Sequence, residues 1–147
     1  MLIQLALGSL IMVVTILFTL ASVWAMEAGL LRADPWLRQN PHRPKLTAMI
    51  AVAALWVMVQ LTAGVWLWAG VFWALDLFDT LETAVYFALV SYTTLGFGDI
   101  LLPQEWRLLA GLASANGLVS MGLLTAFLVE LVRQVRQLQS AAFKEDD

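Results

Sequence analysis

The sequence predicts an all-α integral membrane protein with three transmembrane helices and a re-entrant helix-and-loop element between the second and third. Three observations predict it. The chain has 147 residues, of which 61% are hydrophobic and only 13% charged, and its mean hydropathy is +0.82, values that belong to membrane proteins rather than soluble domains. The charges are spaced so that residues 1–26, 46–75 and 108–129 carry none, and each run reaches the roughly 20 residues needed to cross about 30 Å of hydrocarbon. A fourth uncharged run, residues 83–98, is too short to span and ends in glycines.

The first run has no basic segment before it, and it exceeds the apolar core of a signal peptide, which is about 7–15 residues; an uncleaved helix is expected. Its lack of charge excludes a voltage-sensing role, which needs repeated arginines. It is expected to pack around the second span or to bind a partner. The linker 27–45 holds Arg32, Arg38, Arg43 and Lys45, with Pro35, Pro41 and Pro44 interrupting helix. A short interfacial helix begun at Asp34 and anchored by Trp36 is expected there. The second span carries Trp66, Trp68 and Trp73 toward its far end, where an interfacial aromatic belt is expected, and Trp24 and Trp106 fit the same pattern.

In the fourth run, Asp79 or Thr80 can cap a helix of about residues 80–91, with Glu82 in its first turn where the helix dipole favours an acid. The third span holds Gly111, Ala113, Ser114, Ala115, Gly117, Ser120 and Gly122, small residues that suit close helix packing in lipid. Asn116 there and Gln60 in the second span are expected to bond between helices.

Arg133, Arg136 and Lys144 follow the third span, whereas residues 76–107 hold five acids and only Arg107. Basic segments stay on the cytoplasmic side. The linker and tail are therefore expected in the cytoplasm, residues 76–107 outside, and Met1 outside, in a multi-pass protein of the cell membrane.

Several functions lack their parts. A net charge of −3 without a basic cluster gives nucleic acid no footprint. There is no cysteine, and the one histidine, His42, lies in the polar linker, where a solvated side chain is expected. No nucleophile–base pair, metal cluster or phosphate loop is visible, so the chain is not expected to be an enzyme. Two related halves, usual in secondary transporters, are absent.

The string "TTLGFGD", residues 93–99, is irregular backbone at membrane depth, tolerated only when buried in protein or lining a watery path. An ion that sheds its water needs several oxygens at once, and backbone carbonyls supply them without net charge. Aiming successive carbonyls at one axis demands positive φ, which Gly96 and Gly98 allow, and the Thr94 hydroxyl adds a further oxygen. Leu95 and Phe97 are expected to pack against the short helix. One strand cannot surround an ion, so four copies are expected around an axis.

This string resembles the selectivity-filter signature of potassium channels, TTVGYGD, with leucine for valine and phenylalanine for tyrosine. The resemblance covers residues 46–136 as outer helix, pore helix, filter and inner helix, leaving 1–26 as an extra helix, 27–45 as a cytoplasmic linker and 137–147 as a short tail. It implies a homotetrameric, potassium-selective channel in lipid, with K+ held at Thr94, Leu95, Gly96, Phe97 and Gly98. It implies filter support from Asp99 and from Tyr86 and Val90 of the pore helix. Some relatives carry at position 90 a glutamate bonded to the filter aspartate; with valine there, Asp99 needs another partner. Gly117 falls at the family's hinge position and Gly122 at a second small site, while Thr125 and Val129 face the cavity. Glu130 either rings the inner mouth or pairs with Arg133 or Gln134. The alternatives are a non-selective monovalent cation channel of the same architecture and a non-conducting membrane adaptor.

Overall fold

The computed structural model describes residues 1–37 and 42–145, with side chains described outside 30, 33–43 and 138–147. Among the described residues, four α-helices and one 3-10 turn account for the regular structure: α1 (Leu2–Leu37), α2 (His42–Ala74), α3 (Leu81–Tyr92), the turn Gln104–Trp106 and α4 (Arg107–Glu145). The stretches Leu2–Gly29, Pro44–Ala74 and Gln104–Gln137 are each long and apolar enough to cross a membrane, whereas α3 is not. This is the predicted all-helical membrane architecture, three spans and one half-length helix.

The helices overrun the charge-free stretches that predict them, because charged residues at helix ends reach water without breaking the backbone ladder. The linker differs from expectation. No separate helix begins at Asp34, since α1 runs on through Pro35 to Leu37. A proline removes one backbone donor, and so close to the helix end that loss is small. Pro44 falls in the first turn of α2, where the missing N–H has no intrahelical partner to lose. Pro41 and Arg38, and the side chains of Trp36 and His42, lie outside the described residues.

α1 and α4 run parallel, and α2 runs antiparallel to both. Gly8 of α1 lies against Leu112 of α4, and Thr15 Oγ1 lies 3.0 Å from Asn116 Oδ1. Gln60 of α2 reaches back to Ser22 of α1, and Trp56 of α2 meets Phe127 of α4 at 5.2 Å between centroids. α1 packs mainly along α4 and much less on α2, so the outer-helix position expected for it is corrected: Gln4 and Thr15 bond α4, and Ser22 is bonded from α2. α3 packs between α2 and α4.

Two cores result. The larger surrounds α3 and contains Trp68, Phe72, Phe87, Tyr92 and Leu109; Phe72 and Phe87 meet edge to face at 5.3 Å, a favoured aromatic geometry. The smaller, at the opposite end of the bundle, holds Ala53, Leu131 and Val135. Trp66 and Trp73 are about half exposed, as a belt requires, and Trp24 is 72% exposed. Trp68 is corrected: it is fully buried, and its indole N–H donates to Asn116 Oδ1 at 2.8 Å. Since an indole only donates, this bond fixes which end of the Asn116 amide is oxygen. The interhelical roles expected of Asn116 and Gln60 are therefore made, each bond being worth about 0.6 kcal/mol on average in a membrane.

The tightest contact is at the end of α3. A Cβ on Gly64 would lie 2.4 Å from the Tyr92 hydroxyl, and one on Gly117 only 1.8 Å from the Tyr92 carbonyl oxygen. Tyr92 is thus seated between α2 and α4 by two glycines. Gly117→Ala is expected to lower the stability of the detergent-solubilised protein by about 3 kcal/mol, the upper range for overpacking, because a backbone rather than a flexible side chain must yield. Gly70→Ala, where nothing lies within 4 Å, is expected to leave the melting temperature unchanged or slightly raised. Thermal unfolding of the two variants side by side reads the difference.

Candidate ion pathway

α3 begins as the sequence predicts. Thr80 is the N-cap, its side chain accepting from the Thr83 N–H at 3.2 Å, and Glu82 lies in the first turn. The C-terminal end is less ordinary. Thr94 has φ +60°, its N–H bonds the Ser91 carbonyl at 2.9 Å and the Leu95 N–H bonds the Val90 carbonyl at 3.0 Å. That paired pattern is a Schellman cap with threonine in the left-handed position. Asp76 closes α2 the same way, at φ +52°, with Asp76 N–H on the Trp73 carbonyl and Leu77 N–H on the Phe72 carbonyl. For a β-branched residue the left-handed region is a true outlier, and such strain gathers at functional sites.

The capping continues beyond two bonds. Gly96 N–H also donates to Val90 O at 3.2 Å, Thr93 Oγ1 donates to Leu89 O at 2.7 Å, and Ser114 Oγ of α4 donates to Ser91 O at 2.8 Å. The carbonyls of residues 89–91 are therefore all engaged, and the stretch from Thr93 to Gly96 is sewn to the helix by its amides.

Positive φ recurs at every second residue, at Thr94, Gly96 (+55°) and Gly98 (+75°), and not at Leu95, Phe97 or Asp99. In a regular strand successive carbonyls point to opposite sides; reversing the sign of φ at alternate residues is the change that brings them to one side. Nothing lies within 4 Å of where a Cβ would stand on Gly96 or Gly98, so in this chain the glycines answer to conformation and not to crowding. Residues 94–99 are exposed. Leu95 and Phe97 are 57% and 66% exposed, so neither is buried against the short helix. The amides of Leu95 and Gly96, drawn onto Val90, keep backbone rather than side chain against α3.

Asp99 has a partner. Tyr86 donates its hydroxyl to Asp99 Oδ2 at 2.6 Å, linking the middle of α3 to the end of the loop. The loop, α3 and the start of α4 enclose a cavity of about 290 Å³ whose lining includes Tyr86, Val90, Gly96, Gly98, Asp99 and Ser114. Five of the predicted positions thus come together. Gly117 joins them through Tyr92, and its close approach to that backbone accounts for the glycine. Gly122, Thr125 and Val129 lie lower on α4 along an exposed face, away from the loop. Glu130 takes both local partners, a bidentate pair with Arg133 at 2.9 Å and a bond from Gln134 at 3.0 Å. Among the described residues no group of three or more histidine, cysteine or acidic side chains can hold a metal.

Sequence reasoning missed Tyr92, Gly64, Ser114 and the left-handed Thr94. Tyr92 carries a signal, an aromatic directly before the paired threonines; Gly64 carries none that separates it from the other glycines.

The Tyr86 hydrogen bond holds the Asp99 carboxyl below its ordinary value, and the same bond, with burial and the carboxylate charge, raises the Tyr86 hydroxyl. A depressed acid contributes above its ordinary value of 3.8 and loses that contribution as pH falls through the lowered value. A raised phenol contributes below 10.0 and loses it as pH rises through the raised value. The bond is therefore expected to persist across the whole neutral range. In bilayer recordings, external pH changes within that range should leave the stability of the loop unaltered, while Tyr86→Phe should speed the decay of any current severalfold at every pH. A current that decays alike in both proteins would contradict this.

Three apolar spans, a capped half-length helix between the second and third, and a glycine-punctuated loop held to its end form the setting in which the comparison with known proteins is made. No curated protein and no solved structure matches the chain. A family model described as ion channel matches residues 49–134, more than half of the chain, and the chain belongs to that ion-channel family.

Proposed function

We propose that this protein is the subunit of a homotetrameric, potassium-selective channel that passes K+ down its gradient through a ring of four 94–98 segments. The observation that carries the reading is the alternation of φ sign at Thr94, Gly96 and Gly98, directly at the end of a half-length apolar helix in a chain of the ion-channel family. Carbonyls brought to one side can replace the hydration shell of a monovalent cation, with the Thr94 hydroxyl as a further oxygen. Conduction of this kind needs no covalent chemistry.

Tyr86 and Asp99 brace the outer end of the segment, and Val90 anchors its inner end through its carbonyl. The exposed stripe of Gly122, Thr125 and Val129 faces the cavity or neighbouring subunits below the filter. Glu130, tied bidentately to Arg133, acts as a local ion pair. The distribution of charge supports Met1 and residues 76–107 outside and the tail inside. The contact of Gln4 with Leu108 supports Met1 and the loop sharing one side. The pore module is residues 46–136.

Gly96→Ala places a side chain at φ +55° and is expected to abolish potassium current while the protein still migrates as a tetramer. Crosslinking in mild detergent together with bilayer recording tests both halves of the statement. A full-sized current in the variant, or a crosslinking ladder that ends at two, would refute it.

A further inference from the structure

α1 lies outside the residues that match the family, yet Gln4, Thr15 and Ser22 each bond α4 or α2. Gln4, only 7% exposed, bonds the start of α4 twice: its amide nitrogen donates to the Glu105 carbonyl, and its Oε1 accepts from the Leu108 N–H at 3.2 Å. The turn that leads into α4 begins at Pro103 without a side-chain cap, so Gln4 supplies from another helix what a capping residue normally supplies locally. One turn on, Gly8 admits Leu112; a Cβ there would lie 2.3 Å from Leu112 Cδ1. Two turns further, the single Thr15 hydroxyl proton lies between two acceptors, the Ile11 carbonyl of its own helix and Asn116 Oδ1 at 3.0 Å, and Asn116 Oδ1 is the atom that Trp68 of α2 also bonds. Asn116 is fully buried, and its Nδ2 has no partner among the described residues. Thr15 and Trp68 thus both engage a single oxygen of that side chain.

The residues beside Asn116 are those that touch the end of α3. Ser114 bonds the Ser91 carbonyl, and Gly117 abuts the Tyr92 carbonyl with no room to spare. A shift of α4 at Asn116 is therefore felt two residues before Thr94. The geometry points to α1 as a positioning element for the filter: through Thr15, and at the outer end through Gln4, it holds α4 in the register that seats α3 and the 93–96 amides. Its consequence for conduction rests on the channel reading; its consequence for the loop rests on these contacts alone.

Hydrogen–deuterium exchange of the full chain in detergent, at residues 93–96, tests it. Thr15→Val keeps the volume and removes the hydroxyl. It is expected to raise exchange of those amides about fivefold, the scale of one lost interhelical hydrogen bond. Thr15→Ser, which restores the hydroxyl, should return exchange to the wild-type rate. Thr19→Val serves as control, since among the described residues the Thr19 hydroxyl bonds a carbonyl of its own helix, as Thr15 also does, but no other helix, and it should match wild type. Equal exchange in Thr15→Val and Thr19→Val would overturn the inference. Should Thr15→Val not fold, Gln4→Met removes the other anchor and is read in the same way, with faster exchange supporting the inference and an unchanged rate overturning it. Exchange needs no current, so a chain that responds as expected here but conducts no potassium sinks the channel reading and leaves the positioning role standing.

Discussion

Tyr92 sits where two glycines let two helices close on it, and the rest of the molecule is arranged around that seat. Its hydroxyl end lies against Gly64 and its carbonyl against Gly117, at separations that leave no space for a methyl group on either side. Packing this close fixes the end of α3 relative to both α2 and α4, because a close-packed interior does not deform gradually. From that end the chain turns into residues 93–99, so the position of the loop follows from the seat. The aromatic cluster of Trp68, Phe72, Phe78 and Phe87 fills the space above and holds the other end of α3.

The loop itself is held by backbone rather than by side chains. Its first amides bond the last carbonyls of α3, and its last residue is tied back by Tyr86. Between those anchors the residues are exposed and free of crowding. A segment fixed at both ends with exposed backbone between is what the proposed coordination of a bare cation would use, since backbone oxygens carry no net charge. The left-handed Thr94 is the cost of making the turn immediately after a helix, and the Schellman pair stabilises it.

Much of this was legible in the sequence because the bilayer imposes long charge-free runs, and a run too short to span has few places to go. Thr80 as cap and Glu82 in the first turn were readable for the same reason: capping chemistry is local. What was not readable depends on which neighbour a side chain meets. Trp68 and Trp66 are the same residue type two positions apart, yet one faces outward and the other donates to a buried amide. α1 carries no charge over residues 1–26 and no sustained polar stripe, so nothing in its pattern pointed to α4; Gln4, Gly8 and Thr15, unremarkable in sequence, reveal its partner. Thr94 escaped because a β-branched residue is the last expected at positive φ, and Pro35 misled because a proline near a helix end removes little.

The measurement that bears most directly on the account is the reversal potential of the purified protein in planar bilayers, with potassium on one side and sodium on the other. If the 94–98 segments form a ring of carbonyls that replaces the hydration shell of K+, the potential lies near the potassium limit. A robust current that reverses near zero would contradict potassium selectivity, leaving an ion pathway whose oxygens do not distinguish the two ions.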